Sequence, residues 1–397
     1  MNKKSICSFM AGVVVTATVA GGIYLYQNPG GAASTSRLSE RYDRIENKLD
    51  LIDQLVSQYY LNQDDIDVDQ LEENIYYGYL AGLDEPYTTY YTAEEYQRVM
   101  ESSSGEYSGI GTYVSQDVTT GIITFVNPFE EGPAYGAGIR NGDVLYAVEG
   151  EEVTGEDLND VVARMKGEEG TDVNLTIYRS DGDQYIDVTV TRQNVEVPTV
   201  EYEMLEDHIG YIQITEFDDV TVEQFKEAVD DLQSQGMEKV IFDVRDNPGG
   251  LFSSVCDILD VLLPQELLVY TEDKDGNREE TYAEDDDALD IPMAVLVNGS
   301  SASASEIFTG ALKDYDKAEI IGTTTFGKGI VQSIIPLSDG SAVKITTSKY
   351  YTPSGVCIHD IGIDPDIEVE AEADTTDSEA ADDQLRSAID YLQGTEN

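Results

Sequence analysis

The chain has 397 residues, enough for two or three domains, and its 41% hydrophobic content is typical of a globular protein. The formal net charge of −56 disfavours nucleic acid and anionic membrane surfaces as partners, because both would repel the chain. Two histidines and three cysteines occur without paired metal-ligand spacing, so neither a metal nor another cofactor is predicted.

The N-terminus carries a membrane-targeting pattern. Lys3 and Lys4 precede an uncharged apolar stretch from Ile6 to Tyr26, which is long enough to span a bilayer. Positive charge on the short side predicts that this end stays in the cytoplasm and that the bulk of the chain is extracytoplasmic. We predict an uncleaved signal anchor, a single transmembrane helix, within residues 1–30. Cleavage near Ala32-Ala33, which would release a secreted protein, is the less favoured alternative.

Residues 31–104 are predicted to form a linker and an N-terminal helical region. Apolar residues at helical spacing predict helices over Leu38–Tyr60, Asp67–Leu83 and Ala93–Met100. Thr92 and Glu95 have the spacing of a capping box at the start of the third helix. The long apolar stripe of the first helix suits intramolecular packing, and a homodimer contact is the sharper hypothesis.

The sequence pattern of residues 105–192 predicts mostly β-strands. The predicted strands and short helices are Gly109–Val114, Ile122–Val126, Gly132–Ala137 (helix), Val144–Val148, Leu158–Met165 (helix) and Val173–Arg179. Within this segment the motifs Gly132-Pro133-Ala134, Gly142-Asp143-Val144-Leu145 and Val148-Glu149-Gly150 follow one another in an order that resembles a PDZ domain.

This resemblance implies a mixed α+β domain that binds peptide C-termini. In PDZ domains a glycine-rich loop presents backbone amides to the terminal carboxylate, and the peptide adds to a sheet edge as a strand. By position that loop is Gly109-Ile110-Gly111-Thr112, and Val161 and Met165 would help line the side-chain pocket. The implied partners are proteins or peptides with free, apolar C-termini.

Residues 193–370 alternate between strands and helices, which is typical of an α/β core. The predicted elements are Tyr211–Ile214, Val220–Gln235 (helix), Lys239–Asp243, Ser253–Leu263 (helix), Ala294–Val297, Ser303–Tyr315 (helix) and Ala318–Ile321. Asp275-Gly276-Asn277 is better interpreted as a hairpin turn than as a calcium loop, since the closing glutamate is lacking. Within residues 371–397, an acidic linker, Ala371 to Ala381, precedes a last helix, Asp382–Leu392.

One run in this core carries the pattern of a catalytic turn. The apolar strand Ala294–Val297 is followed by a small-residue turn, Ser300 to Ser305, that leads directly into a helix. A nucleophile on such a turn lies beside free backbone N–H groups at the helix N-terminus, which can stabilise an oxyanion. Further along, Lys328 stands between Gly327 and Gly329. Either motif alone would be an ordinary surface loop.

Taken together, the motifs of the region from about residue 38 to 392 resemble the carboxy-terminal processing peptidases, serine proteases with an inserted PDZ domain. The motifs that carry the resemblance are Arg245-Asp246-Asn247-Pro248-Gly249-Gly250, Ser301-Ala302-Ser303-Ala304-Ser305-Glu306, Phe326-Gly327-Lys328-Gly329 through Gln332, and Thr352-Pro353-Ser354-Gly355. The resemblance implies a crotonase-like ββα-type protease core. It also implies the site: Ser303 as nucleophile, Lys328 as general base, Gln332 orienting the lysine, and Gly249 and Ala304 as oxyanion-hole donors.

The implied chemistry is physically coherent. A serine hydroxyl needs a neighbour that removes its proton, and neither histidine lies in a catalytic-looking motif. A lysine can serve when desolvation lowers its pKa enough to keep it neutral. The neutral Gln332 can hold that amine without fixing a positive charge. Ser301 and Ser305 are predicted to be structural, and Arg245 to form a scaffold ion pair.

The sequence thus predicts a membrane-anchored, extracytoplasmic serine endopeptidase that captures substrate C-termini. Two alternatives compete with it: a catalytically silent PDZ adaptor, and a crotonase-like acyl-transfer enzyme. The intact set of Ser303, Lys328 and Gln332 argues against the first, and the lack of a basic surface for a CoA ligand argues against the second. Whether Cys256 and Cys357 form a disulfide is left open.

Overall fold

The computed structural model describes residues 32–284, 286, 288–370 and 382–394. The predicted signal anchor and the predicted acidic linker from Ala371 to Ala381 lie outside these residues. Within the described ranges, no helix is long and apolar enough to cross a membrane. The chain divides into two units: one ends at Gln97 and also takes in Gln332–Thr347, and the other is Arg98–Val331 together with the chain from Ser348 onward.

The first unit is largely helical. Its elements are α1 (Ala32–Tyr59), α2 (Val68–Ala81), β1 (Thr89–Tyr91) and the beginning of α3 (Ala93–Ser104). The predicted capping box is confirmed, since the Glu95 N–H donates to Thr92 Oγ1 (3.2 Å) and the Thr92 N–H donates to Glu95 Oε2 (2.9 Å). Strand β1 pairs antiparallel with residues 342–344. The predicted apolar stripe of α1 is exposed at Leu49, Ile52 and Leu55.

The PDZ-like part of the second unit consists of an antiparallel sheet, a separate pair of strands and two short helices. Its elements are β2 (Glu106–Gly109), β3 (Tyr113–Gln116), β4 (Ile123–Val126), α4 (Pro133–Gly136), β5 (Val144–Val148), β6 (Glu151–Glu152), α5 (Leu158–Met165), β7 (Asp172–Arg179), β8 (Gln184–Thr191) and β9 (Gln193–Glu196). The strands β3, β4, β5, β7 and β8 form one antiparallel sheet, and β2 pairs with β9. Phe125, Leu145 and Ile177 are buried in its core.

The prediction of one strand over Gly109–Val114 is wrong. The chain forms β2, then a loop, then β3, and Gly111 in that loop has a φ of +72°, which a continuous strand cannot accommodate. The pattern failed here because Ile110 and Val114 alternate with small residues as they would in a strand. The break places the backbone of residues 110–112 in a loop rather than in a ladder.

The protease core is a doubly covered parallel sheet. Its elements are β10 (Val200–Met204), β11 (Ile209–Ile214), α6 (Thr221–Ser234), β12 (Lys239–Asp243), α7 (Phe252–Leu262), β13 (Leu267–Asp273), β14 (Arg278–Tyr282), β15 (Met293–Val297), α8 (Ala304–Asp314), β16 (Ala318–Gly322), β17 (Ile330–Pro336), β18 (Ala342–Tyr351), β19 (Ile367–Glu368) and α9 (Asp383–Gln393). The parallel sheet has the strand order β10-β11-β12-β15-β16-β19, and all its pairs are parallel except the edge pair of β10 and β11. The strands β13, β14, β17 and β18 belong to a second sheet.

Alternate side chains of the central strands pack on opposite faces of this sheet. Phe242 and Val295 join the core formed with α6, α7 and α8, whereas Ile241 and Ala294 pack with Ala388 of α9. The predicted α/β alternation is therefore confirmed, and the near-continuous apolar runs are explained by burial on both faces. The carboxyl ends of β12 and β15 lead directly into the Pro248-Gly249-Gly250 turn and the serine turn.

The predicted hairpin turn at residues 275–277 is also confirmed. Strands β13 and β14 are antiparallel, and Asp273 Oδ1 accepts from the N–H groups of Asp275 and Asn277, both at 2.9 Å. The Asp273 carboxylate is thus used to close the turn. Cys256 and Cys357 are both free thiols, and burial raises the pKa of Cys256 to about 12.

Arg245 forms the scaffold ion pair that its context predicts. It contacts the fully buried carboxylate of Asp243, with an Nη2–Oδ2 distance of 2.5 Å, and it reaches Asp382 at the N-cap of α9 (2.8 Å). Burial disfavours the charged guanidinium, but the hydrogen bonds that it donates to the Asp243 and Asp382 carboxylates outweigh this effect and raise the pKa of Arg245. This ion pair ties the end of β12 to the last helix.

We expect Arg245→Ala to lower the free energy of unfolding by about 3–5 kcal/mol, because it leaves the Asp243 carboxylate buried without its counter-ion. Chemical denaturation measures the change. Arg386→Ala is the matched control, since its pair with Asp383 is largely exposed and its loss should cost less than about 1 kcal/mol. Equal effects of the two substitutions would contradict this account.

Candidate active site

Ser303 lies at the point where the loop after β15 ends and α8 begins. Its φ and ψ are 56° and −112°, and the Ser305 N–H donates to the Ala302 carbonyl (3.1 Å). These values are those of the first central position of a type II′ turn, which favours glycine. A serine held there is strained by an amount on the order of 1–3 kcal/mol. Within residues 301–305 only Ser303 is partly exposed, whereas the other four residues are buried.

The backbone beside Ser303 offers a free hydrogen-bond donor. Ala304 is the first residue of α8, and no acceptor for its N–H exists within the described ranges. The first N–H groups of a helix lack intrahelical partners and carry partial positive charge. The Ala304 N–H therefore suits an oxyanion that forms at a carbonyl attacked by Ser303 Oγ, as the sequence predicts.

Gly249 packs directly against the serine turn. Its φ is +107°, and a Cβ built on it would lie 2.8 Å from Ser303 Cβ and 2.9 Å from the Ala304 nitrogen. No side chain fits in this space, so both the conformation and the contact require glycine. The predicted proximity of the Pro-Gly-Gly turn to the nucleophile is present in the structure.

The N–H of Gly249 is nevertheless already used within its own turn. It donates to Asn247 Oδ1 (2.8 Å), and Asn247 in turn donates from Nδ2 to the Ile214 carbonyl (2.8 Å). Asn247 is fully buried, so this arrangement is firmly held. For Gly249 to act as the second oxyanion donor, its N–H must be shared with, or turn away from, the Asn247 side chain.

The serines that flank Ser303 have structural roles, as predicted. Ser301 Oγ donates to the Val244 carbonyl (2.7 Å), and Ser305 Oγ donates to the Asn247 carbonyl (3.0 Å). Both side chains are fully buried. Together they fasten the serine turn to the end of β12, and Ser303 between them is partly exposed.

A buried carboxylate connects the serine turn to the lysine loop. Glu306 has no exposed surface, and its Oε2 accepts from the N–H of Ser303 (2.9 Å) and from the N–H of Lys328 (2.8 Å). Its Oε1 accepts from the Gly327 N–H (2.7 Å) and from Thr325 Oγ1 (2.6 Å). Four donors on two oxygens suit the acceptor-only, ionised carboxylate. One oxygen atom thus fixes the backbone of both predicted catalytic residues.

A buried phenol makes a second connection between the same two residues. The hydroxyl of Tyr350 lies between the carbonyl oxygen of Ser303 (2.9 Å) and that of Lys328, and it can donate to either. Tyr350 is 2% exposed, and burial together with the charge of Glu306 raises its pKa well above the usual range, so the phenol keeps its proton. Glu306 therefore holds the backbone N–H groups of Ser303 and Lys328, and Tyr350 holds their backbone carbonyl groups.

The rest of the lysine loop is held by backbone contacts. The Phe326 N–H donates to the Ser301 carbonyl (3.0 Å), and the Gly327 carbonyl accepts from the Asp360 N–H (2.8 Å). A Cβ on Gly329 would lie 2.4 Å from the His359 nitrogen, which explains the glycine after Lys328. The Lys328 side chain is half-buried. Gln332 lies in β17 within the first unit, where its amide contacts Thr346 Oγ1 at 3.4 Å.

The predicted peptide-binding residues lie at one end of the PDZ-like part. Residues 110–112 form the loop between β2 and β3, and α5 carries Val161 and Met165. Both of these side chains are buried in the domain core, Val161 completely, whereas Leu158 and Val162 of the same helix are partly exposed. Leu158 and Val162 thus present apolar surface on α5, as does the exposed Ala163, and the sequence prediction did not name them.

Three further residues of the site were not assigned a role by the sequence: Glu306, Tyr350 and Asn247. The sequence does carry a signal for Glu306, because it is the third residue after an N-cap serine, a position that favours a carboxylate. Asn247 precedes a Pro-Gly-Gly turn, where an amide side chain often bonds to the backbone two residues on. No local signal marks Tyr350, because its partners are 22 and 47 residues away.

The parallel-sheet core, its serine turn and the PDZ-like part together define a PDZ-containing serine protease fold. Residues 208–369 match the model of peptidase family S41, and residues 126–179 match the model of the PDZ domain. A putative S41 protease from Bacteroides fragilis has the same fold, with a TM-score of 0.53 and 17% sequence identity. That match covers 87% of this chain and 98% of the other.

Two curated relatives match over most of their length. The carboxy-terminal-processing protease of Bartonella bacilliformis is 36% identical over 373 residues, which cover 92% of this chain and 83% of the relative. The carboxy-terminal processing protease CtpA of Bacillus subtilis is 35% identical over 363 residues, which cover 90% of this chain and 76% of the relative. The chain belongs to this family: it is a carboxy-terminal processing serine protease of family S41 with a PDZ domain.

We expect Tyr350→Phe to lower kcat by about 10- to 100-fold with little change in KM, because a shift of the lysine loop by up to about one ångström moves Lys328 relative to Ser303. Steady-state cleavage of an unfolded model protein measures both constants, with thermal unfolding as a check on folding. Tyr351→Phe, the next residue of β18, whose ring stacks on Tyr270, is the matched control and should behave as wild type. A wild-type kcat for Tyr350→Phe would contradict the role given to its hydroxyl.

Proposed function

We propose that the chain is an extracytoplasmic endopeptidase in which Ser303 is the nucleophile and Lys328 the general base. The observation that carries the proposal is that Glu306 Oε2 accepts from the backbone N–H of both residues, while Ser303 is a partly exposed residue in a strained turn. A shared acceptor keeps the backbones of the serine and the lysine close together, which supports a proton transfer between their side chains. The family to which the chain belongs supports the same pair.

The proposed reaction has two steps. The neutral amine of Lys328 takes the proton of Ser303 Oγ, and Oγ attacks the scissile carbonyl carbon. The resulting oxyanion accepts from the Ala304 N–H and, once released from Asn247, from the Gly249 N–H. The protonated lysine then gives its proton to the leaving amine, and an acyl-enzyme ester remains. Lys328 then takes a proton from water, the resulting hydroxide attacks the ester carbonyl, and the lysine returns the proton to Ser303 Oγ as the acyl product leaves. Gln332 is proposed to orient the lysine amine.

The proposed substrates are proteins or peptides with a free, apolar C-terminus. Support comes from the loop of residues 110–112, whose backbone N–H groups suit a terminal carboxylate, and from the apolar surface of Leu158 and Val162 on α5. The edge strand β3 follows this loop directly and offers its backbone for an added strand. The PDZ domain would thus deliver substrate ends to the protease core.

The proposed location is the outer side of the cell membrane. Lys3 and Lys4 before the apolar stretch from Ile6 to Tyr26 support an N-terminal anchor with the catalytic part outside. Self-association of two copies is proposed as well, since α1 exposes Leu49, Ile52 and Leu55.

We expect Ser303→Ala and Lys328→Ala each to lower the rate of substrate cleavage by about 10³-fold or more while the fold persists. Ser300→Ala, an exposed serine of the same turn, and Lys317→Ala, whose partner Asp290 is exposed, are the matched controls and should retain activity. Mass spectrometry of the cleaved model protein gives the rates, and circular dichroism checks the fold. Normal turnover by Ser303→Ala would overturn the mechanism.

The pH profile tests the lysine separately. The base works only when neutral, so the rate should rise with pH as Lys328 loses its proton and should fall as the pH drops. Cleavage rates measured over about pH 5–9 follow this titration. A rate that does not change across this range would contradict a lysine base.

A further inference from the structure

The aromatic ring of Tyr107 packs against the glycine-rich loop of the PDZ domain. Tyr107 belongs to β2, immediately before the loop of residues 110–112. A Cβ on Gly109 would lie 2.6 Å from Cε2 and 2.9 Å from Cδ2 of the Tyr107 ring, so the ring lies directly on the loop's first glycine. On strand β9, the partner of Tyr107 is Val195, whose Cγ1 would lie 3.4 Å from a Cβ on Gly111. Tyr107 and the loop therefore share one face.

The phenol of this tyrosine extends toward the two central amides of the loop. Within the described part of the chain, neither the Gly111 N–H nor the Thr112 N–H donates to a backbone carbonyl. Burial raises the pKa of Tyr107, and the nearby backbone N–H groups of Thr112 and Gly111 oppose that rise. The ring thus lies over Gly109, with its phenol toward these two N–H groups.

The residue that follows α5 also lies over the Tyr107 ring. Lys166, the residue after α5, holds its ammonium 4.8 Å from the centre of the Tyr107 ring, a distance that suits a cation–π contact. The same ammonium pairs with Glu101 Oε2 at 2.6 Å. The ring is thus enclosed between the glycine-rich loop and a lysine, at the end of α5 that adjoins the loop.

From this geometry we infer that Tyr107 is an internal occupant of the carboxylate subsite of the PDZ domain. The inference rests on the proposed function, in which the N–H groups of this loop receive the substrate's terminal carboxylate. A carboxylate at the same N–H groups would have to take the place of the Tyr107 oxygen. A substrate C-terminus must therefore bind these N–H groups more strongly than the Tyr107 phenol does before it can dock.

Replacement of the Tyr107 phenol by a substrate carboxylate is energetically feasible. A phenol oxygen is neutral, whereas a carboxylate makes charge-assisted hydrogen bonds that are roughly twice as strong. A free C-terminus can therefore displace Tyr107, and a C-terminal amide or an internal chain segment cannot do so as well. The incoming carboxylate would also meet the Lys166 ammonium, which now lies over the ring. The occupied subsite thus favours true chain ends over other extended peptides.

The test uses the full chain with Ser303→Ala, so that bound peptides are not cleaved, and it measures affinity by fluorescence anisotropy. The probes are a peptide with an apolar, free C-terminus and the same peptide as its C-terminal amide. Tyr107→Phe removes only the competing oxygen, so the free acid should bind about 2- to 10-fold more tightly, the worth of one hydrogen bond. The amide should bind as before. Tyr178→Phe, whose hydroxyl contacts Asp183 on the far hairpin, is the matched control and should change neither affinity.

The outcomes separate the inference from the proposed function. If Ser303→Ala protein binds the acid more tightly than the amide, and Tyr107→Phe leaves the affinity for the acid unchanged or weakens it, Tyr107 is not an occupant of the subsite. If acid and amide bind equally in both proteins, carboxylate capture itself is wrong. Backbone amide resonances of Gly111 and Thr112 provide a second readout, because both should shift on Tyr107→Phe even where affinities are hard to compare. Unshifted resonances would overturn the inference.

Discussion

The buried carboxylate of Glu306 is the interaction on which the predicted site depends. Its four hydrogen bonds join two segments that are distant in sequence, the turn at Ser303 and the loop from Thr325 to Lys328. A charge with no exposed surface is stable only where every lone pair has a donor, and the loop supplies three of the four. The carboxylate and the loop depend on each other, since Glu306 orders the loop and the loop supplies the hydrogen-bond donors that the buried carboxylate needs. This mutual dependence makes the lysine loop part of the site's rigid scaffold.

The strain at Ser303 is maintained by the same surroundings. A serine with a φ of 56° persists only where its neighbours leave no better conformation. Gly249 packs against the turn from one side, and the buried hydroxyls of Ser301 and Ser305 fix it to the end of β12. Tyr350 then holds the Ser303 carbonyl. The side chain that is least constrained in this environment is that of Ser303 itself, which suits a group that must move between attack and release.

Local sequence patterns predicted the secondary-structure elements of the core, but they did not predict the long-range contacts. The buried strand Met293–Val297 and the helix that starts after Ser303 were predictable because their apolar runs and small-residue turn are contiguous in the sequence. The strands Ile330–Pro336 and Ala342–Tyr351 were missed, since their side chains are only half-buried and do not alternate cleanly. Gly111 broke a predicted strand through its backbone conformation, which a hydrophobicity pattern does not encode. Tyr107 and Tyr350 act through contacts that no spacing reveals.

The central claim is that Glu306 holds Ser303 and Lys328 in a reactive arrangement. The rate at which a serine-directed fluorophosphonate modifies Ser303, compared between wild type and Glu306→Gln, tests it most directly. The glutamine keeps the shape but turns an NH₂ group toward N–H donors, so the account predicts labelling at least about 10-fold slower with the fold intact. Glu223→Gln, an exposed residue of α6, should label as wild type. Labelling of folded Glu306→Gln at the wild-type rate would contradict the account.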